Sequence, residues 1–417
     1  MRPNPDRISR RVALLSFFLA ADAFAAACGD TSETSSPSSH DAPPSGGSDA
    51  GGARAASALE LSDVSILFPL ASMNGLMAAS AEGARGMIFE RPLLDSMQLP
   101  PNSLDVGQSL DSIYGELRVV ALRLDPCFHL TTAAGCQAQI RLVLQPLVSK
   151  DGHLVARDIA VHTFYALAAD EFASIAKGVT QLKASSTTSS AGPLRVHPII
   201  AAEGLSGSFA SGISHIIQTY AGKSNLVRAA FSASNIKRDE WSFSAVDIAG
   251  QQATAHRILD SQATTQTFKN FASGDAPESS FSAGSFNPPI GTNNDVSIFL
   301  DSANALGESV TNINSAYSAL VHIQSPVRSD ANSIACAPCH VASSMRGWAD
   351  THLSIAPAAR ADLFTSTRDL SLVSTVAKNT NNVRAFGYFD DQPAFSERTV
   401  NETAATLDAI ERDVLGH

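Results

Sequence analysis

The chain has 417 residues, 44% hydrophobic and 17% charged, an ordinary globular composition with room for two or three domains. Its formal net charge of -11 argues against a nucleic-acid partner, because nothing neutralises phosphates in bulk and no basic stripe follows residue 30.

At the N-terminus Arg7, Arg10 and Arg11 precede the apolar run Val12–Ala21, which is too short to span a bilayer as a helix of the folded protein. Residues 1–27 therefore read as a signal peptide. The run ends in Ala25, Ala26 and Ala27, directly before Cys28. This resembles a bacterial lipobox, although Ala25 stands where that motif usually has Leu. The resemblance implies cleavage ahead of Cys28, its diacylation, and a protein anchored by lipid in the periplasm or at the outer membrane. Gly29 in place of Asp after the cysteine resembles outer-membrane sorting. Residues 28–57 are almost entirely Gly, Ser, Thr, Pro, Ala and Asp, a flexible tether unable to bury a core.

Ordered sequence begins near Leu59. Leu61 to Pro69 reads as a strand halted by proline. Leu117–Leu124 and Ile140–Leu147 alternate with period two, the second with Ile140, Leu142 and Leu144 on one face and Arg141, Val143 and Gln145 on the other. They read as a hairpin whose loop holds Cys127 and Cys136. Ile159–Tyr165 and Leu194–Ile200 are further predicted strands, and Leu226–Phe231, Trp241–Ile248 and Ala253–Leu259 close the region. Asp170–Leu182 and Phe209–Tyr220 have helical spacing. Residues 58–260 thus predict an α+β domain, a mostly antiparallel sheet with two helices. His162 and His197 within it read as ordinary strand histidines, and Asp170 and Glu171 as favourable first-turn charges.

Residues 261–295 are rich in Ser, Gly, Ala, Asn and Pro and read as a linker. Beyond it, Ile298–His322 predicts one long helix, a second starts within Cys336-Ala337-Pro338-Cys339-His340 and runs toward His352, and a third follows Ser396 as N-cap, with Val400, Ala404, Leu407, Ile410 and Val414 on one face.

Two thiols three positions apart, followed at once by an imidazole, suit covalent haem attachment: the thiols add across the vinyl groups and the histidine ligates iron. This CAPCH pentapeptide is the CxxCH of c-type cytochromes, and the order of helices over 296–417 resembles the class I cytochrome c domain. The resemblance implies an all-α cytochrome c-like haem domain there, one haem c, thioether links at Cys336 and Cys339, and His340 as proximal iron ligand. That family takes its sixth ligand from a methionine before the last helix. Here the last methionine is Met345, only five residues past His340. His352, His322 or no protein group are the alternatives for the sixth position. Trp348, Asn379, Asn381, Asn382, Arg384 and Tyr388 are candidates for the haem surroundings, with Arg384 a possible propionate partner.

With Cys28 assigned to lipid and Cys336 and Cys339 to haem, Cys127 and Cys136 remain in an exported, oxidising context and are expected to form a disulfide. The first functional expectation is an exported, lipid-anchored monohaem electron carrier with a redox partner protein in the periplasm or at the envelope. The alternatives are a peroxidase-like haem enzyme or small-ligand sensor with an open distal site, and a lipoprotein whose C-terminal cysteines hold zinc.

Overall fold

The computed structural model describes residues 59–99, 104, 108–128, 136–235, 240–250, 252–269, 284–291, 295–330, 332–373 and 383–416. The predicted signal peptide, Cys28 and the 28–57 tether lie outside these, as do Asn379, Asn381 and Asn382. In chain order the first part forms α1 (Leu61–Val64), β1 (Ser65–Leu67), β2 (Glu82–Gly83), β3 (Gly86–Met87), α2 (Arg91–Ser96) and α3 (Leu110–Glu116). The middle follows as β4 (Leu117–Phe128), β5 (Gln137–Lys150), β6 (His153–Ala156), β7 (Ile159–Ala166), α4 (Ala169–Ala184), α5 (Pro198–Glu203), α6 (Ser208–Tyr220), β8 (Leu226–Asn235), β9 (Glu240–Ala249) and β10 (Gln252–Ala255). The remainder comprises β11 (Thr265–Lys269), β12 (Ser285–Asn287), α7 (Ser302–Gly307), α8 (Val310–Gln324), α9 (Cys336–His352), β13 (Phe386–Phe389), β14 (Gln392–Phe395) and α10 (Glu397–Ile410).

Ten of the strands make one antiparallel sheet in the order β1-β4-β5-β7-β8-β9-β11-β12, with β6 beside β5 and β10 beside β9. The two-faced pattern legible in β5 decides how it is covered. Leu142 and Leu144 face the larger core, which also takes Phe172, Ile175 and Val179 of α4 and Phe209, Ile213 and Ile217 of α6. Helices with a single apolar stripe bury it on such a face. The opposite face carries Arg123, Arg141, Gln145, His162, Arg228 and Gln266, because antiparallel partners share a side: Arg123 faces Arg141, His162 faces Ala230, and Ala230 faces Ala245.

That polar face is not solvated. The C-terminal third lies on it through specific bonds: Arg123 Nη1 donates to Glu402 at 2.6 Å, the Tyr388 N–H to Gln145 Oε1 at 2.7 Å, the Ala337 N–H to Gln266 Oε1 at 2.8 Å, and Arg384 Nη1 to Ser232 at 3.3 Å. Buried polar groups find partners, and here each partner comes from across the chain.

The expected α+β domain followed by an all-α cytochrome c-like domain is therefore corrected. The sheet runs on through the predicted linker, where Phe268 of β11 pairs with Trp241 of β9 and with Phe286 of β12. The C-terminal region contains the β13–β14 hairpin, and the stripe of α10 (Val400, Ala404, Leu407, Ile410) joins the larger core with α1 and the β4 strand instead of closing a helical bundle. The linker strands were hidden because each offers few apolar positions among Ser, Gly and Asn. α8 and α9 pack with Trp241, Phe243 and Phe268 in a second core.

Local chemistry explains three further departures. The stretch predicted as one strand from Leu61 opens as α1, because Asp63 Oδ2 accepts from the Glu60 N–H at 2.8 Å. The strand expected at 194–200 is a bridge at Val196 followed by α5, with Pro198 at its start and His197 Nδ1 accepting from the Ile200 N–H at 3.4 Å. The long helix expected over 298–322 is broken, since Asp301 caps α7 and Ser309 caps α8. No helix among the described residues is long and apolar enough to cross a membrane.

Candidate functional site

Cys336 is the first residue of α9, so both thiols and His340 occupy the opening turns of one helix. Pro338 fits there because its missing N–H belongs to a turn whose donors have no intrahelical acceptor. The Ala337 N–H, another such donor, is taken by Gln266 Oε1. The sequence thus starts a helix at CAPCH, and β11 fixes where it starts.

All three side chains line one cavity of about 240 Å³ between α9, the polar face of the sheet and the beginning of α10. His340 is oriented by a 2.7 Å contact between Nδ1 and the Val383 carbonyl. A carbonyl only accepts, so Nδ1 carries the proton and Nε2 keeps its lone pair. Burial lowers the His340 pKa to about 4, against a small upward pull from that carbonyl, so the ring is neutral at pH 7. The Phe243 ring packs at 4.9 Å from its centroid. Burial pushes the Cys336 thiol up to about 12, with the Cys339 thiol reinforcing it, and raises Cys339 as well. Both are free cysteines held protonated.

The floor is the sheet. His162 and Phe164 of β7, Arg228 and Ala230 of β8 and Ala245 of β9 face the cavity. Five arginines line it (Arg123, Arg141, Arg228, Arg257, Arg398) against two carboxylates, Asp330 and Glu402. In a chain of net charge -11 this is a concentrated cationic pocket. Glu402 lies between Arg123 and Arg398, at 2.6 Å from each. Burial alone would raise its carboxyl, but Arg398, Arg123 and Arg141 hold it well below the usual carboxylate range. Arg228 bonds Asp247 at 2.6 Å, and His256 Nδ1 meets the same carboxylate at 2.8 Å. His162 is kept well below its ordinary pKa first by burial, then by His340, Arg141 and Arg384.

The expected sixth ligands are not brought to this cavity. His352 closes α9, twelve residues and about 18 Å of helix from His340; its Nδ1 bonds the Trp348 carbonyl at 2.9 Å and its ring stacks on Trp348. His322 ends α8 and lines a separate surface depression with Asp362. Met345 is buried in the second core. Arg384, the expected propionate partner, sits over the Trp241 ring with Asp158 3.7 Å from Nη2, and the Tyr388 hydroxyl donates to Phe68 O at 2.6 Å. Neither lines the cavity. Away from it, Cys127 and Cys136 are disulfide-bonded at the end of the β4–β5 hairpin, with Cα atoms 4.6 Å apart.

The arginine cluster, Glu402 and His162 escaped the sequence reading. A signal was present: arginines recur on one face of strands that are otherwise apolar. Among the described residues no three His, Cys, Asp or Glu side chains gather as a metal-ion cluster, so the zinc reading gains no support. No known protein family, curated protein or solved structure matches this chain.

Proposed function

We propose that the protein is an exported, lipid-anchored monohaem c-type cytochrome whose haem lies between α9 and the polar face of the sheet. The observation that carries the reading is convergence: Cys336, Cys339 and a neutral His340 with its Nε2 lone pair available all line one cavity, and that cavity is cationic. The donor set fits the group. Cys336 and Cys339 would form the thioether links and His340 would ligate the iron through Nε2, while Val383 keeps the ring in the required tautomer. Arg123, Arg141, Arg228 and Arg398 offer charge-assisted donors for two propionates. Bound there, haem would supply a one-electron iron couple. The cavity lies just below the ~300–1,000 Å³ common for small-molecule pockets, so seating a macrocycle requires its walls to part.

The rest of the chain is consistent with a carrier. The acidic surface favours a redox partner with a basic patch. Anchoring rests on Cys28 and the small residues before it, and the 28–57 tether would hold the folded body off the membrane.

The test is expression with haem c maturation machinery. A pyridine haemochrome spectrum typical of two thioether links and an intact mass increased by one haem are expected, and both should vanish in the Cys336→Ala, Cys339→Ala double variant. Folded protein that leaves the maturation system without haem overturns the reading. Labelling with radioactive palmitate, lost in Cys28→Ser, tests the anchor separately.

A further inference from the structure

The iron's sixth coordination position is the question that CAPCH leaves open, and the cavity holds a group for it. His162 lies on β7, a central strand between β5 and β8. It faces the same cavity as Cys336, Cys339 and His340. Its Nε2 is sealed from solvent and has no hydrogen-bond partner among the described residues. Leaving a buried polar nitrogen unsatisfied is costly, and ligation would remove that cost. On the β5 side His162 pairs with Val143, while on the β8 side its neighbours are Ala230 and then Ala245, both lining the cavity, so on that side the wall beside the imidazole is low and flat. Low, flat walls suit a planar ring lying against the sheet.

Competing donors are few. Among the described residues no methionine lines the cavity, and the two thiols are committed to thioether links under the reading above. His256 also lines it, but its Nδ1 is tied to Asp247 and its ring remains about 25% exposed, toward solvent. Of the three histidines that line the cavity among the described residues, His162 is the one with a ring nitrogen, Nε2, that is both buried and unpartnered.

We propose that His162 is the sixth ligand, so that the iron is held by two imidazoles, one from the CAPCH helix and one from the sheet. This rests on the haem c reading. It goes beyond the motif, because the second ligand precedes Cys336 by 174 residues and comes from a strand. Two consequences follow: the haem ties α9 to β7, and the distal face is closed to small molecules, which favours electron transfer over peroxide chemistry.

The haem-loaded full chain provides the test, with the pyridine haemochrome read first so that absence of haem is separated from wrong ligation. With haem present, the ferric protein should be low-spin, with the electron paramagnetic resonance and near-infrared charge-transfer signature of two imidazoles, and the ferrous protein should not take up carbon monoxide. His162→Ala should turn the ferric iron high-spin, open it to carbon monoxide, and return to low-spin on adding imidazole. Should His162→Ala lose its haem, His162→Met decides: a new far-red methionine–iron band and a higher potential support the assignment. His256→Ala should keep the ferric iron low-spin. A high-spin wild-type haem, a low-spin His162→Ala, a His162→Met spectrum like wild type, or a His256→Ala that alone turns high-spin would each overturn it.

Discussion

Gln266 of β11 accepts a 2.8 Å hydrogen bond from the backbone N–H of Ala337, the second residue of CAPCH, across 71 positions of sequence. The side chain is fully buried and its Nε2 also donates to the Pro288 carbonyl at 3.2 Å. A segment expected to be a linker therefore sets the start of the helix that carries the site. Gln266→Leu removes both bonds and leaves the buried Ala337 N–H and the half-buried Pro288 carbonyl without this partner. It should cost about 1–3 kcal/mol, seen as a lower urea midpoint with an unchanged denaturant slope.

Glu402 gives the second prediction. Its carboxylate is the counter-charge of Arg123 and Arg398, both nearly fully buried. Glu402→Gln leaves two guanidinium groups without it and should destabilise by about 3–5 kcal/mol. The pH dependence has a definite sign. The folded carboxyl is held below its ordinary value of 4.5, so its stabilisation is complete above that pH. As pH falls below it, the unfolded chain takes up a proton that the folded chain refuses, and stability declines. Urea midpoints at pH 6 and pH 3 should differ less in Glu402→Gln than in wild type.

A second buried charge cluster contributes no residue to the CAPCH cavity. Asp63 Oδ1 meets His197 Nε2 at 3.2 Å, while Oδ2 accepts from Lys183 Nζ at 2.8 Å and Ser190 Oγ at 2.9 Å. Burial would raise the Asp63 carboxyl, and the bonds from His197 and Lys183 hold it below its ordinary value. Asp63→Asn removes the carboxylate counter-charge from the buried Lys183 ammonium. A loss of about 3–5 kcal/mol is expected, with the haem spectrum of the loaded protein unchanged.

The Cys127–Cys136 bond closes a loop of ten residues. On chain-entropy grounds its removal in a Cys127→Ser, Cys136→Ser variant should cost about 2–3 kcal/mol. Because neither cysteine lines the CAPCH cavity, covalent haem content should be the same in variant and wild type.

His352 was a sequence candidate for the iron and Met345, the last methionine, was not; the structure places both away from the cavity. His352→Ala and Met345→Leu should leave the ferric and ferrous spectra of the loaded protein unchanged. Met345→Leu keeps volume in a buried position, so its stability cost should stay below about 1.5 kcal/mol. A changed axial-ligand band in either variant would return it to the site.

Local chemistry along the chain was enough to place several elements. Period-two alternation located β4 and β5, short apolar runs located β7 and β9, the Ser396 cap located α10, and CAPCH marked the start of α9. Each of these depends on residues within one or two turns of each other. The disulfide followed from counting cysteines.

Tertiary structure decided what covers the polar face of the sheet. Alternation in β5 separated Leu142 and Leu144 from Arg141 and Gln145, but period alone cannot distinguish a face open to water from one buried under other parts of the chain. Here Glu402, Tyr388 and Ala337, each more than 70 residues distant from its partner, satisfy that face. The same burial gave His162, on its own an ordinary strand histidine, an Nε2 without a partner among the described residues, on the cavity it shares with Cys336, Cys339 and His340. A sequence records which residues can do chemistry, and the long-range pairing of buried polar groups settles which of them meet.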